Sequence, residues 1–429
     1  MFAQSWPVIL ANAAIGLAGI VDTFVIGRFA AGSAMAGIGA GAAIYGFIYW
    51  GFGFLRMTTA GLSAQASGAG DEKEVQSHLF RAVPLGLMIG LIIICLQYFI
   101  LQLAFHFYQA DPGVEADGQI YIRARLWGLP AYLGLIAIMG WFIGLGRAGY
   151  ALIMQLVFNG LNIVLSFALV GGLGWELFGV GIATAIAEWV GLATGIILAL
   201  NVIRQRGGLN KKLINSSNLL NVKALTILGE ANTNIFIRTA ALTFAFAYFS
   251  NAAAMQSETF LAAHHIHLQL ITLSAFVLDG FANTAEATAG AAYGAGSRDR
   301  FDRAVRLTTE FAFLFGGICS LLIYLLGPAA IHVLTQDPNI QDMAIQYLPY
   351  CALVPILGAA AYQLDGIFIG TTRTREMRNA GLAALALYLI VDALLPQDFG
   401  PAKIWMAFWF YYLARALTLL FYYPRLRPR

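Results

Sequence analysis

Charge is what this sequence has least of. Asp, Glu, Lys and Arg make up 11% of its 429 residues, against roughly 25% in an ordinary soluble domain, while 59% of the chain is hydrophobic. A water-covered globular surface cannot be built from that composition, so the chain is expected to be an integral membrane protein. Cysteine is nearly absent too. Cys95, Cys319 and Cys351 stand alone inside apolar runs, which leaves no disulfide framework and no thiolate spacing for a metal. His264, His265 and His267 point in different directions around a helix and have no carboxylate or thiol at supporting spacing, which argues against a metal centre. No Walker motif occurs. The strings GIGAGAAIYG (37–46) and GFGF (51–54) lack the strand before and the Lys or acid after that a nucleotide loop needs, and small residues in an apolar helix serve close packing. No nucleophile, base and orienting group stand together, so neither enzyme activity nor a cofactor is expected. A net charge of +3 gives no reason to expect nucleic acid as a partner.

What the sequence has in abundance is long apolar runs. Polar or Gly-rich breaks divide them into twelve segments, near 5–29, 34–63, 77–107, 117–145, 148–171, 177–203, 221–250, 258–290, 303–334, 342–371, 377–396 and 401–423. Each approaches the roughly 20 residues that a spanning helix needs. Continuous runs of this kind are not barrel strands, which alternate, so the class is all-α. Residues 1–6 hold no basic cluster, and the first run is too long for a signal peptide, so helix one is expected to remain as an uncleaved span. Arg28, Arg123, Arg125 and Lys403 fall on one side of the membrane, Arg56, Arg238 and Arg415 within helices, and the other 18 of 25 basic residues on the opposite side. The positive-inside rule then places both termini and the even-numbered loops in the cytoplasm.

The sequence also repeats itself. A shift of about 226 residues brings AQASG (64–68) onto GAAYG (290–294), WGLPAYL (127–133) onto ALVPILG (352–358) within one residue, and GWFIGLGR (140–147) onto DGIFIGTTR (365–373). Six helices separate each copy from its partner. An even number keeps the orientation, so the repeat is parallel, with its axis along the membrane normal. The longest polar stretch, RQRGGLNKKLINSSN (204–218), falls at the seam. The expected organisation is an N-terminal six-helix lobe over 1–203, a cytoplasmic linker over 204–220 and a C-terminal six-helix lobe over 221–429. Two such bundles can rock about a central cleft, a plan that favours a transporter.

Within this apolar background the polar residues carry the functional argument. GIVDTFVIG (19–27) places Asp22 in the middle of the first run, where a carboxylate costs about 2.5 to 3.5 kcal/mol. Asn159, Asn162 and Ser166 form a stripe on helix five, and Thr184 and Glu188 stand one turn apart on helix six. These could converge on Asp22 or serve as hydrogen-bonding glue between helices. Arg56 lies well inside helix two. On its repeat partner, helix eight, Asp279, Asn283 and Glu286 share one face, which must turn toward protein or water. A static ion pair of that face with Arg56 or Arg238 is the simpler reading. Arg56, Glu188, Arg238, Asp279, Asn283, Glu286 and Asp365 are the candidate substrate-contacting or gating residues.

The motifs GIVDTFVIG, GFLRMTTAGLSAQASG (53–68), NIVL with GIATAIAEW, LDGFANTAEATAGAAYG (278–294) and LDGIFIGTTRTREMRN (364–379) together resemble the multidrug and toxic compound extrusion (MATE) family, in its DinF-like branch, over essentially the whole chain. The resemblance implies a twelve-helix antiporter of two six-helix lobes. Such a transporter exports amphipathic, often cationic small molecules across the inner membrane against a proton or sodium gradient, and the lipid bilayer and the small-molecule cargo are its partners. Carried over by residue, Asp22 matches the aspartate to which cation coupling is attributed, and Asn162 and Thr184 match its polar partners. Relatives commonly carry a second acid where this chain has Ser166, and fewer charged ligands for a dehydrated sodium ion favour H+ over Na+ as the coupling ion. A monomer is expected. The related alternative, a flippase for lipid-linked precursors, would call for a strongly cationic central cavity.

Overall fold

The computed structural model describes residues 4–14, 25, 28, 32–108, 111–209 and 222–426. Asp22, Gly16, Gly19, Gly27 and residues 210–220 of the expected linker lie outside the described residues. Every regular element among the described residues is helical. In chain order they are α1 (4–14), α2 (Gly32–Gly51), α3 (Phe54–Gly68), α4 (Glu72–Tyr108), α5 (Pro112–Leu126), α6 (Leu129–Gly144), α7 (Ala148–Ser166), α8 (Glu176–Gln205), α9 (Val222–Ala254), α10 (Glu258–Gly294), α11 (Arg298–Leu334), α12 (Pro338–Gly370), α13 (Thr374–Leu394) and α14 (Ala402–Tyr422). A π-helical stretch, Phe167–Gly172, continues α7 directly after Ser166.

Eight of the described helices are long and apolar enough to cross a membrane, and α5 with α6 forms a ninth span bent by 53°. Their outer faces fit lipid better than water. Met88, Leu91, Ile92, Leu96, Phe99 and Leu103 stand exposed along α4, and Leu314, Leu321, Leu322, Leu325 and Leu326 along α11. An apolar band of that extent in water would be an association surface. In a bilayer it is the solvated face.

Two segments that the sequence reads as single helices are interrupted. The second, expected over 34–63, is α2 and α3 with Phe52 and Gly53 between them. The fourth, expected over 117–145, breaks at Trp127 and Gly128. At the second break Pro130 occupies the first turn of α6, where its missing N–H is tolerated, whereas in a continuous helix it would remove a hydrogen bond and clash one turn back. The matching Pro355 lies inside an unbroken α12. There the amide of Ile356 donates to Oγ of Ser320 on α11 at 3.2 Å, so a neighbouring helix satisfies a backbone group that proline disturbs.

The chain forms two compact units, Leu10–Ile227 and Leu228–Arg429 together with Met1–Ile9. In the first, α6 packs on α3, α4 and α8; in the second, the repeat-related α12 packs on α10, α11 and α14. The correspondence extends to single atoms. The carbonyl oxygens of Arg56 and Ala60 on α3 fill the space that side chains on Gly140 and Gly144 would take, and those of Ala282 and Glu286 on α10 do the same at Gly366 and Gly370. Each pair of glycines is spaced i, i+4, which lets two backbones touch without side chains between them. The turns repeat as well. Gly70 and Gly296 end the second helix of each half with φ of 71° and 63°, and Gly146 and Thr372 end the fourth with φ of 68° and 53°.

Candidate functional site

In the N-terminal unit, α7 and α8 pack together and bring the polar stripes of helices five and six into contact. Nδ2 of Asn162 donates to Oγ1 of Thr184 at 2.8 Å, and that hydroxyl donates in turn to the carbonyl of Val180 at 3.1 Å. Asn162, Thr184 and Ser166 are all buried. One turn earlier on α7, Nε2 of Gln155 donates to Oδ1 of Asn159 at 3.2 Å. Of these contacts, Asn162–Thr184 joins the two helices, and a hydrogen bond of that kind in an apolar bundle fixes their register; Nδ2 of Asn159 is buried with no partner among the described residues. Asp22, to which the family resemblance assigns Asn162 and Thr184 as polar partners, lies outside the described residues. Arg56 is half-buried on α3.

Glu188 sits one turn beyond Thr184 on the same face of α8 and is completely buried. A methyl group added at Gly128 would overlap its Oε2, so the carboxyl group is pressed against the bend between α5 and α6. Arg125, in the last turn of α5, is the charge that acts on it. The Arg125 guanidinium itself lies over the Tyr45 ring, 4.1 Å from its centre, and donates to the Tyr121 hydroxyl.

In the C-terminal unit, Arg238 of α9 and Arg415 of α14 both donate to the same oxygen, Oδ2 of Asp365 on α12, the latter at 2.6 Å. All three are buried and line a small pocket with Met377, Ala380, Gly381 and Leu419. The Arg415 guanidinium also lies 5.5 to 5.8 Å from the rings of Tyr412, Tyr362 and Tyr411, where their faces stabilise its charge. The sequence reading paired Arg238 with the acids of helix eight, and the structure pairs it with Asp365. Of those acids, Asp279 is half-buried and acts electrostatically on Tyr362 and Tyr412, while Asn283 and Glu286 are buried on the same helix. Thus Arg238 and Asp365 come together, and Arg56 and Glu188 belong to the other unit. Arg415 and Arg125 complete these sites without having been singled out. An arginine flanked by YYLA and ALTL is signal enough for the first; the second reads as a loop-end residue until the bend is seen.

Next to Ser5, the second unit holds a further polar contact. Its hydroxyl and that of Thr284 on α10 are 2.7 Å apart and buried, so the first turn of α1 is tied to α10. His264 lies 3.4 Å from Oγ of Ser250 and His267 lies 2.9 Å from the carbonyl of Ala344. Neither arrangement gathers three metal-ligating side chains, and no such group occurs among the described residues.

An all-α membrane protein with two repeated helix bundles, each holding buried polar groups, has the architecture of a secondary transporter. The MatE family model matches residues 7–168 and again 234–394, one match in each half, and the chain belongs to that family. It is 33% identical over 417 residues to the DNA damage-inducible protein F of Escherichia coli (strain K12), covering 96% of this chain and 89% of the relative. It is 26% identical over 388 residues to a probable multidrug resistance protein NorM of Pasteurella multocida (strain Pm70), covering 86% and 80%. Among solved structures, an outward-facing multidrug resistance MATE family transporter of the MOP superfamily superposes with a TM-score of 0.85 at 18% identity over 99% of this chain and 94% of that one. The last comparison speaks for the fold.

Proposed function

We propose that this protein is a proton-coupled antiporter that exports amphipathic or cationic small molecules across the inner membrane. In this reading the lobes 1–203 and 221–429 alternate access about a cleft, the linker 204–220 and both termini are cytoplasmic, and one copy of the chain suffices. The observation that carries it is the family match joined to the buried Asn162–Thr184 pair, 2.8 Å apart, on helices where the family's coupling machinery resides. NorM relatives are named as multidrug resistance proteins, which supports a drug-like cargo.

The physical logic is short. An apolar setting disfavours the charged form of a carboxyl group, so Asp22, in the middle of the first apolar run of the sequence, can take a proton from the acidic side and release it on the other. Losing the charge changes what the helix can pack against, and the balance between outward- and inward-facing states shifts with it. Pro7 lies in α1, and a proline in a membrane helix permits bending. Each proton moved down 100 mV supplies about 2.3 kcal/mol, enough for roughly fiftyfold accumulation of a neutral solute. The test is dye efflux from proteoliposomes under a pH gradient or a sodium gradient imposed separately. Efflux driven by the pH gradient is expected, and efflux driven by sodium alone overturns the choice of ion.

A further inference from the structure

Glu188 is the group the preceding account leaves without a task. It is fully buried, and among the described residues neither of its carboxyl oxygens has a hydrogen-bond partner. It begins twelve positions into α8, which at 1.5 Å per residue is about 18 Å from the start of the helix, near the middle of a bilayer core about 30 Å thick. An ionised carboxylate there, without hydrogen bonds, carries an effective penalty of several kcal/mol. The neutral acid avoids that penalty, because it has no charge to desolvate.

Among the described residues, the elements that pack on α8 and surround this carboxyl group are α5, α6, α7, the π-helical stretch and the edge of α2. The helices α2, α6 and α7 and the π-helical stretch contain no charged residue; they contribute Tyr45, Tyr49, Tyr132 and Tyr150 as their titratable groups. On α5 the charged residues are Glu115, Asp117, Arg123 and Arg125, and of these Arg125 acts on Glu188. No hydrogen bond joins the two. Arg125 instead stacks on Tyr45 and donates to Tyr121. The carboxyl group therefore has a cation near it but not bonded to it. The carboxyl group also rests on Gly128, the residue at which the span bends by 53°, so a change in its charge acts where two helix segments meet.

We propose that Glu188 is a proton-binding site of the transport cycle, taking a proton from water on the acidic side to form the neutral acid in the state seen here and returning it to water on the other side. The step transfers one proton to a carboxylate oxygen and later releases the same proton, with no other bond made or broken. This rests on the proton-coupled reading above and adds to it a site on helix six, distinct from Asp22.

The experiment uses the full chain, purified, with ethidium as the cargo. Protons released on ethidium binding are counted in weakly buffered detergent solution, and ethidium transport is followed in proteoliposomes across a series of pH gradients. Glu188→Gln keeps the size of the side chain and cannot titrate. It is expected to release fewer protons per ethidium, by about one, and to flatten the pH dependence of transport. Unchanged proton release and an unchanged pH profile overturn the proposal, as does a sodium dependence that the substitution removes. Infrared difference spectra between acidic and alkaline pH provide an arm independent of transport. The carbonyl band of a protonated carboxylic acid is expected in the native protein, lost in Glu188→Gln and shifted in Glu188→Asp; a band unaffected by both overturns the proposal, even where Glu188→Gln folds poorly. If native protein transports ethidium under a pH gradient and Asp22→Asn does not, yet Glu188→Gln behaves as native, this inference alone fails. If native protein shows no transport driven by the pH gradient, the coupling reading fails, and the infrared arm still decides whether Glu188 titrates.

Discussion

Asp365 holds two arginines with one oxygen atom, and that makes it the most consequential single side chain in the C-terminal unit. Removing its charge leaves Arg238 and Arg415 buried together without a counter-ion. Breaking a buried ion pair in this way costs about 3–5 kcal/mol, so Asp365→Asn is expected to lower thermal stability sharply in detergent. Arg415→Met, which removes one of the two cations, is expected to be milder, as read from unfolding midpoints of both variants. Thr372 offers the opposite case. It adopts φ of 53° where its repeat partner Gly146 has 68°, a left-handed conformation that costs a residue with a side chain about 1–2 kcal/mol. Glycine gives up about 0.4–1 kcal/mol through the unfolded chain, so Thr372→Gly is expected to stabilise by roughly 0.5–1 kcal/mol. An unfolding midpoint at or below that of the native chain contradicts this.

At the scale of elements, the close approach of paired helices depends on the glycines of α6 and α12. A side chain at Gly140 or Gly366 would occupy the position of a backbone carbonyl oxygen on the neighbouring helix, which cannot swing aside as a side chain would. Gly140→Val and Gly366→Val are each expected to destabilise by at least about 1–3 kcal/mol, the usual range for overpacking. The check is loss of the monodisperse peak in size-exclusion chromatography, for both variants alike; a large effect in only one half would break the structural equivalence of the repeats. The equivalence was legible in the sequence, because GWFIGLGR and DGIFIGTTR carry the same two glycines at the same offset. The two interruptions were not. Gly53 and Gly128 look no different from the many glycines that sit inside intact helices, and Pro130 stands just after a break while Pro355 sits inside an unbroken helix where Ser320 accepts the next backbone N–H. For the same reason the sites were only partly legible. Asn162, Thr184, Arg238 and Asp365 stand out as polar residues in apolar helices, but which of them meet depends on contacts between residues far apart in the chain. That Glu188 rests on Gly128 follows from the bend.

For the whole molecule, the chain reads as two versions of one bundle that have diverged in their polar interiors. The N-terminal unit holds neutral amides and hydroxyls beside a buried acid, and the C-terminal unit holds two arginines on a shared aspartate with a ring of tyrosines. That division fits a protein in which one lobe exchanges ions while the other serves a structural or cargo-related task. Asp22 is the residue on which this account depends most. The direct measurement is ethidium efflux from proteoliposomes under an imposed pH gradient, comparing the native chain with Asp22→Asn at matched expression and folding. The account predicts gradient-driven efflux by the native protein and its loss in Asp22→Asn with ethidium binding retained. Efflux by Asp22→Asn that still follows the gradient at the native rate would contradict it.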